Sequence, residues 1–148
     1  MLLVADALAN AQRRILEGRF TDSVLRSYRA AECATQMRLL AIGIHPARPD
    51  ACQTAHDQYL PANSTGGGEM AFKAGLQFLQ SVGKLDFARI EDHVMKLGST
   101  RNHTYLEHGY ERVQSNQAQR CFEWSLSICR HLLGQEISQV WQRFEMRF

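Results

Sequence analysis

The sequence has no Cys-x-x-Cys pair, no apolar run of 18 or more residues, and almost no excess of either charge. Each absence removes a class of protein. Cys33, Cys52, Cys121 and Cys129 stand singly, without the paired spacing that a zinc site uses. Cys121 and Cys129 share a helical face but lie two turns apart along it, too far to bridge. Buried free thiols in a reducing compartment are the expectation. Without a long apolar run no membrane-spanning helix is expected. The opening MLLVADALANAQRR places its apolar stretch before its arginines, the reverse of a secretory signal. The expectation is therefore a cytoplasmic protein with no membrane partner. With 17 basic and 15 acidic residues, the formal charge is +2, so a polyanion site must come from local clustering. Gly66-Gly67-Gly68 lacks the Lys-Ser/Thr of a phosphate-binding P-loop. No carboxylate cluster has metal-ligand spacing, so neither a metal nor another cofactor is expected.

What the sequence does have is helical periodicity. A chain of 148 residues suits one domain with a sizeable core, taken here as 1–148. Val4, Leu8, Ala11 and Ile15 set a first helix over 2–17, ended by Gly18. Thr21 or Asp22 can cap a second, over roughly 21–42, with the stripe Val24, Tyr28, Ala31, Thr35, Leu39 and Ile42. Gly43 and Pro46 close it, and the pair reads as a long antiparallel hairpin. Residues 43–68 hold all three prolines and Asn63-Ser64-Thr65 before the glycines. This stretch reads as a surface loop with room for a short helix at 50–59. Met70, Phe72, Leu76 and Leu79 resume the period as far as Gly83. Asp86 is the expected cap of a helix through Phe87, Ile90, Val94 and Leu97, with Gly98 as its breaker. Ser99 or Thr100 would cap the next segment. A long helix over about 112–133 and a short tail helix with Val140, Trp141 and Phe144 complete an all-α bundle of five or more helices.

The candidate chemistry lies in Arg101-Asn102-His103-Thr104-Tyr105-Leu106-Glu107-His108. On a continuous helix, seven residues return to within about 20° of the start, so Arg101 and His108 would share a face. An Arg-Asn pair just after a Gly-Ser-Thr turn would also sit near a helix N-terminus, where unpaired N–H groups suit a phosphate. Histidine can move a proton near neutral pH, and the arginine fork can hold phosphoryl oxygens as charge builds. Those are the two groups needed when an RNA 2′-OH attacks its own phosphodiester. By spacing alone a helix-surface pair with no role is the better reading.

The string RNHTYLEHG resembles the Arg-Asn-x-Ser/Thr-x-Leu-x-His-Gly signature of HEPN ribonucleases. It most resembles the HEPN domains that follow CARF sensor domains in type III CRISPR-associated proteins. Upstream, ADALANAQRRILEGRFTDSVLRSYRAAE resembles the first helical hairpin of those domains. The two matches span residues 4–109 in the expected order. The resemblance implies a HEPN-like bundle and a homodimer whose two Arg–His pairs meet in a cleft that cuts single-stranded RNA without metal. It implies Arg101 on the scissile phosphate, His108 on the proton of the 2′-OH or leaving oxygen, and Asn102 positioning the pair. His103, Thr104 and Tyr105 would contact substrate. Glu107 beside His108 and the His103 position depart from the usual small or apolar residues. The relatives carry a CARF domain that senses cyclic oligoadenylate. This leaves an excised effector domain or a protein without a built-in sensor as alternatives. A HEPN toxin paired with an antitoxin, and a non-catalytic HEPN dimer used for binding, are the other readings.

Elsewhere the expectations are plainer. Glu32 can pair with a motif arginine or sit solvated at the edge of its stripe. His45, His56 and His93 read as surface residues, and His131 suits a helix C-terminus. Arg13, Arg14, Arg26 and Arg29 can form a basic strip or merely solvated faces. Trp124, Trp141 and Phe144 read as packing anchors rather than base-stacking platforms.

Overall fold

The computed structural model describes residues 1–47, 72–104 and 112–145. Among these residues the chain is all-α: α1 (Leu2–Leu16), α2 (Phe20–Leu40), α3 (Phe72–Ser81), α4 (Glu91–His103), α5 (Ser115–Leu133) and α6 (Glu136–Glu145). A single 3-10 turn, Phe87–Arg89, precedes α4. None of the helices is long and apolar enough to cross a membrane. The expected helix at 50–59, the glycine-rich stretch at 63–68, Met70 and Cys52 lie outside the described residues.

Two compact units are present. The first comprises Met1–Ala34 and Ile90–Phe148, and the second Thr35–Arg89. In the first unit α5 packs against α1, α4 and α6, and α1 packs against α6. Its core is the face of α5 that the sequence period marks out: Ala118, Cys121, Phe122, Ser125, Leu126, Cys129 and Leu132 are buried. Val4, Leu8 and Ala11 of α1 bury fully. Ile137 and Trp141 of α6 bury as well, with the Trp141 ring edge-on to Phe122 at 5.4 Å. The tail helix therefore packs back on the body as its apolar spacing predicts. Ser125 donates to the Ser27 carbonyl of α2 at 2.6 Å in the buried interior. In the second unit, Phe72, Leu76, Phe78 and Leu79 of α3 are buried, as are Thr35, Leu39, Ile44 and Phe87.

Gly18 ends α1 as expected. Its φ is +72°, the Gly18 N–H reaches the Ile15 carbonyl and the Arg19 N–H reaches that of Arg14. This left-handed closure satisfies carbonyls that the helix end would otherwise orphan. Cys33, Cys121 and Cys129 are buried free thiols. Burial pushes the Cys121 thiol up to about 11 and that of Cys129 to about 12. Both are therefore protonated near neutral pH and poor nucleophiles.

The largest departure from expectation is α4. Asp86 does not cap it; Asp86 instead bonds Arg89 at 2.8 Å and α4 begins at Glu91. Gly98 does not break it either. The helix continues through Gly98 to His103, because Val94 and Leu97 are buried where α4 packs along α5. Helical dihedrals are open to glycine, and tertiary packing overrides its low propensity. The last long helix starts later than expected, at Ser115, where the Gln114 N–H bonds the Gln117 side chain at 2.8 Å.

A Cβ built on Gly98 meets nothing within 4 Å. Gly98→Ala should therefore stabilise the protein by about 0.5–1 kcal/mol through helix propensity. Thermal unfolding should show the midpoint rising by roughly 2–4 °C, whereas an unchanged or lower midpoint would contradict the reading of α4 as continuous.

Candidate functional site

The polar segment that begins at Arg101 occupies the last turn of α4. The expectation of a helix N-terminus at this point is wrong, because Ser99 and Thr100 lie inside the helix rather than capping a new one. Arg101 thus stands at the negative end of the helix dipole, which favours a cation rather than an anion. The helix stops at His103, and Thr104 is extended at φ −70° and ψ 149°. Arg101 and His108 therefore do not stand on one continuous helix, and the shared helical face expected of them is absent. His108 itself, with Tyr105 and Glu107, lies outside the described residues.

Arg101 is half-buried and well supported. Its guanidinium carbon lies 5.0 Å from the centre of the Tyr28 ring on α2. One guanidinium nitrogen donates to the Asn102 side-chain oxygen at 3.0 Å. A cation over an aromatic face gains about 0.5–1 kcal/mol at an exposed site and more when desolvated. Asn102 is exposed, so its bond orients the guanidinium from the solvent side.

Thr104 is buried, and its hydroxyl donates to the Arg101 carbonyl at 2.8 Å, closing the helix end. His103 is exposed, with Nδ1 at 2.7 Å from the Ser99 carbonyl. A carbonyl only accepts, so Nδ1 carries the proton. Nε2 is then a lone-pair acceptor on the neutral ring and a donor on the charged one.

His103 is two residues beyond Arg101, about 200° further round the helix. The site residues consequently divide. Arg101 and Asn102 belong with Tyr28 of α2. His103 and Thr104 line a pocket of about 190 Å³ together with Ser99, Thr100, Arg112, Val113 and Gln117. A second, larger cleft lies between Gly18–Asp22, at the α1–α2 turn, and Arg112–Ser115. Arg112 and Val113 wall both.

Other candidates resolve more simply. Glu32 pairs with Arg29 on its own helix. Arg13 reaches Asp6 and Asn10, and Arg14 pairs with Glu17, so much of the expected basic strip is neutralised locally. His93 is not merely a surface residue: its Nδ1 lies 3.1 Å from the Ser127 hydroxyl, tying α4 to α5. Trp124 is half-buried, with the Lys96 ammonium 6.0 Å from its ring centre. Trp141 is a packing anchor as expected, whereas the Phe144 side chain lies outside the described residues. Among the described residues there is no His/Cys/Asp/Glu group that could hold a metal ion.

Two residues of this region escape sequence reasoning. Tyr28 reads only as one member of a helical stripe, and nothing in the chain announces its contact with a residue 73 positions later. Arg112 belongs to no motif. A double-mutant cycle on Tyr28→Leu and Arg101→Gln, followed by urea unfolding, should give a coupling of about 0.5–1 kcal/mol. A coupling near zero would contradict the stacked geometry.

A family model described as the Csm6 HEPN domain matches residues 1–131 of the chain. No curated protein and no solved structure matches it.

Proposed function

Because the chain belongs to the Csm6 HEPN domain family, we propose that it is a metal-independent endoribonuclease that cuts single-stranded RNA. The observation that carries this reading is the family match, which runs through both the N-terminal hairpin and the Arg101–His108 segment. The supported position of Arg101 is compatible with it. A guanidinium held by a ring and a neighbouring amide loses less freedom when it takes up an anion.

In the proposed reaction the RNA 2′-oxygen attacks the adjacent phosphorus. The 2′-O–P bond forms, the P–O5′ bond breaks, and the 2′-OH proton ends on the leaving 5′-oxygen. The products are a 2′,3′-cyclic phosphate and a 5′-hydroxyl. Arg101 stabilises the charge that builds on the phosphoryl oxygens. His108 handles the proton at the 2′-OH or at the leaving oxygen. Asn102 orients Arg101, and His103 and Tyr105 contact the RNA, while Thr104, buried with its hydroxyl on the Arg101 carbonyl, holds the helix end. The working unit is a homodimer in which two Arg–His pairs share one cleft. The setting is cytoplasmic, CRISPR-linked antiviral defence, in which a CARF sensor supplies activation.

Purified protein should cut single-stranded RNA equally well with and without EDTA. Arg101→Ala and His108→Ala should each lower the rate by about 100-fold or more, with unchanged helical content by circular dichroism. Cleavage by both variants at the parent rate would sink the proposal, as would cleavage that EDTA abolishes.

A further inference from the structure

We propose that the pocket between the end of α4 and the approach to α5 binds a phosphodiester of single-stranded RNA flanking the one that is cut, with Arg112 as its cation. The inference rests on the nuclease reading for the identity of the ligand. It rests on the pocket for the location.

Arg112 differs from four arginines of the α1–α2 hairpin. Arg13, Arg14, Arg19 and Arg29 are each matched to a carboxylate: Asp6, Glu17, Asp22 and Glu32. Arg112 is exposed and makes no ion pair or hydrogen bond among the described residues. A guanidinium with no such partner among the described residues has N–H donors to offer a ligand.

Its surroundings suit an anion. Among the described residues the pocket lining has no carboxylate. It offers the Ser99 hydroxyl, the His103 ring and the Gln117 side-chain amide. His103 presents Nε2 as its remaining polar atom. Gln117 uses its oxygen to accept from the Gln114 N–H, which leaves its NH₂ as the donor end. Among the described residues the carboxylate lining the larger cleft is Asp22, already paired with Arg19.

Geometry adds a direction. Arg112 walls both the pocket and the cleft that reaches Gly18–Asp22, so a strand that crosses from one to the other passes Arg112. Arg101 lies on the other side of the α4 end, against Tyr28. The two cations therefore serve different phosphates. Arg112 positions the strand and takes no part in the proton transfer.

The test uses a fluorescein-labelled, fully 2′-O-methylated single-stranded oligoribonucleotide, which cannot be cut by 2′-OH attack. Arg112→Ala should raise its Kd by about tenfold. The slope of log affinity against log salt should fall by about 0.7, the loss of one single-strand phosphate contact. Arg112→Lys should recover part of the affinity. Arg143→Ala, an exposed arginine on α6, controls for general charge and should bind like the parent. Unchanged melting of Arg112→Ala checks its fold. Parent-like binding and slope in Arg112→Ala overturn the subsite, whatever the protein does to cleavable RNA. Weakened binding in that variant from a parent that cuts no RNA would uphold the subsite and overturn the nuclease reading. No binding by the parent overturns both.

Discussion

The buried stripe of α5 is the constraint on which the first unit depends. α5 touches α1, α4 and α6, and the Ser125 hydroxyl reaches the Ser27 carbonyl of α2. Small residues recur along it at Ala118, Cys121, Ser125 and Cys129, interleaved with Phe122, Leu126, Ile128 and Leu132. Small side chains let neighbouring backbones approach, and the large ones fill the space between. Holding α4 along this surface carries the helix past Gly98, so that Arg101 comes to stand over Tyr28. A candidate site residue is thus placed by packing that lies well away from the polar motif.

The consequence for electrostatics is a reversal of sign. A helix N-terminus would have offered N–H groups to a phosphate directly. The end of α4 instead offers carbonyls, and these favour the arginine itself. Dipole, ring and Asn102 side chain all hold the cation where it is, and the cation then provides the positive charge. The backbone contribution is therefore indirect, made through the side chain that it stabilises.

What could be read in the sequence follows from how local the cause is. Gly18, Gly43, Gly83 and Gly134 have positive φ, and each follows a helix end as its place in the sequence pattern predicts. A left-handed residue is a local demand that glycine meets. Gly98 has the same chemistry in a helical conformation, and only the burial of Val94 and Leu97 on α5 distinguishes it. The helical stripes of α1, α5 and α6 were legible because burial repeats with the helix period. The meeting of Arg101 with Tyr28, and the shared walls that Arg112 gives to two clefts, depend on chain segments far apart in sequence. The motif itself was visible from the start. The end of its helix at His103 was not, since Thr104 is fixed by a hydroxyl bond back to Arg101 that residue identity alone does not specify.

The most direct test of the account is a single-stranded RNA carrying one 2′-deoxy nucleotide at a mapped cleavage position. Attack by the neighbouring 2′-OH requires cutting to disappear at that position only, and requires the unmodified RNA to yield 2′,3′-cyclic phosphate and 5′-hydroxyl ends. Continued cutting at the deoxy position, or no cutting of the unmodified strand at all, would contradict it.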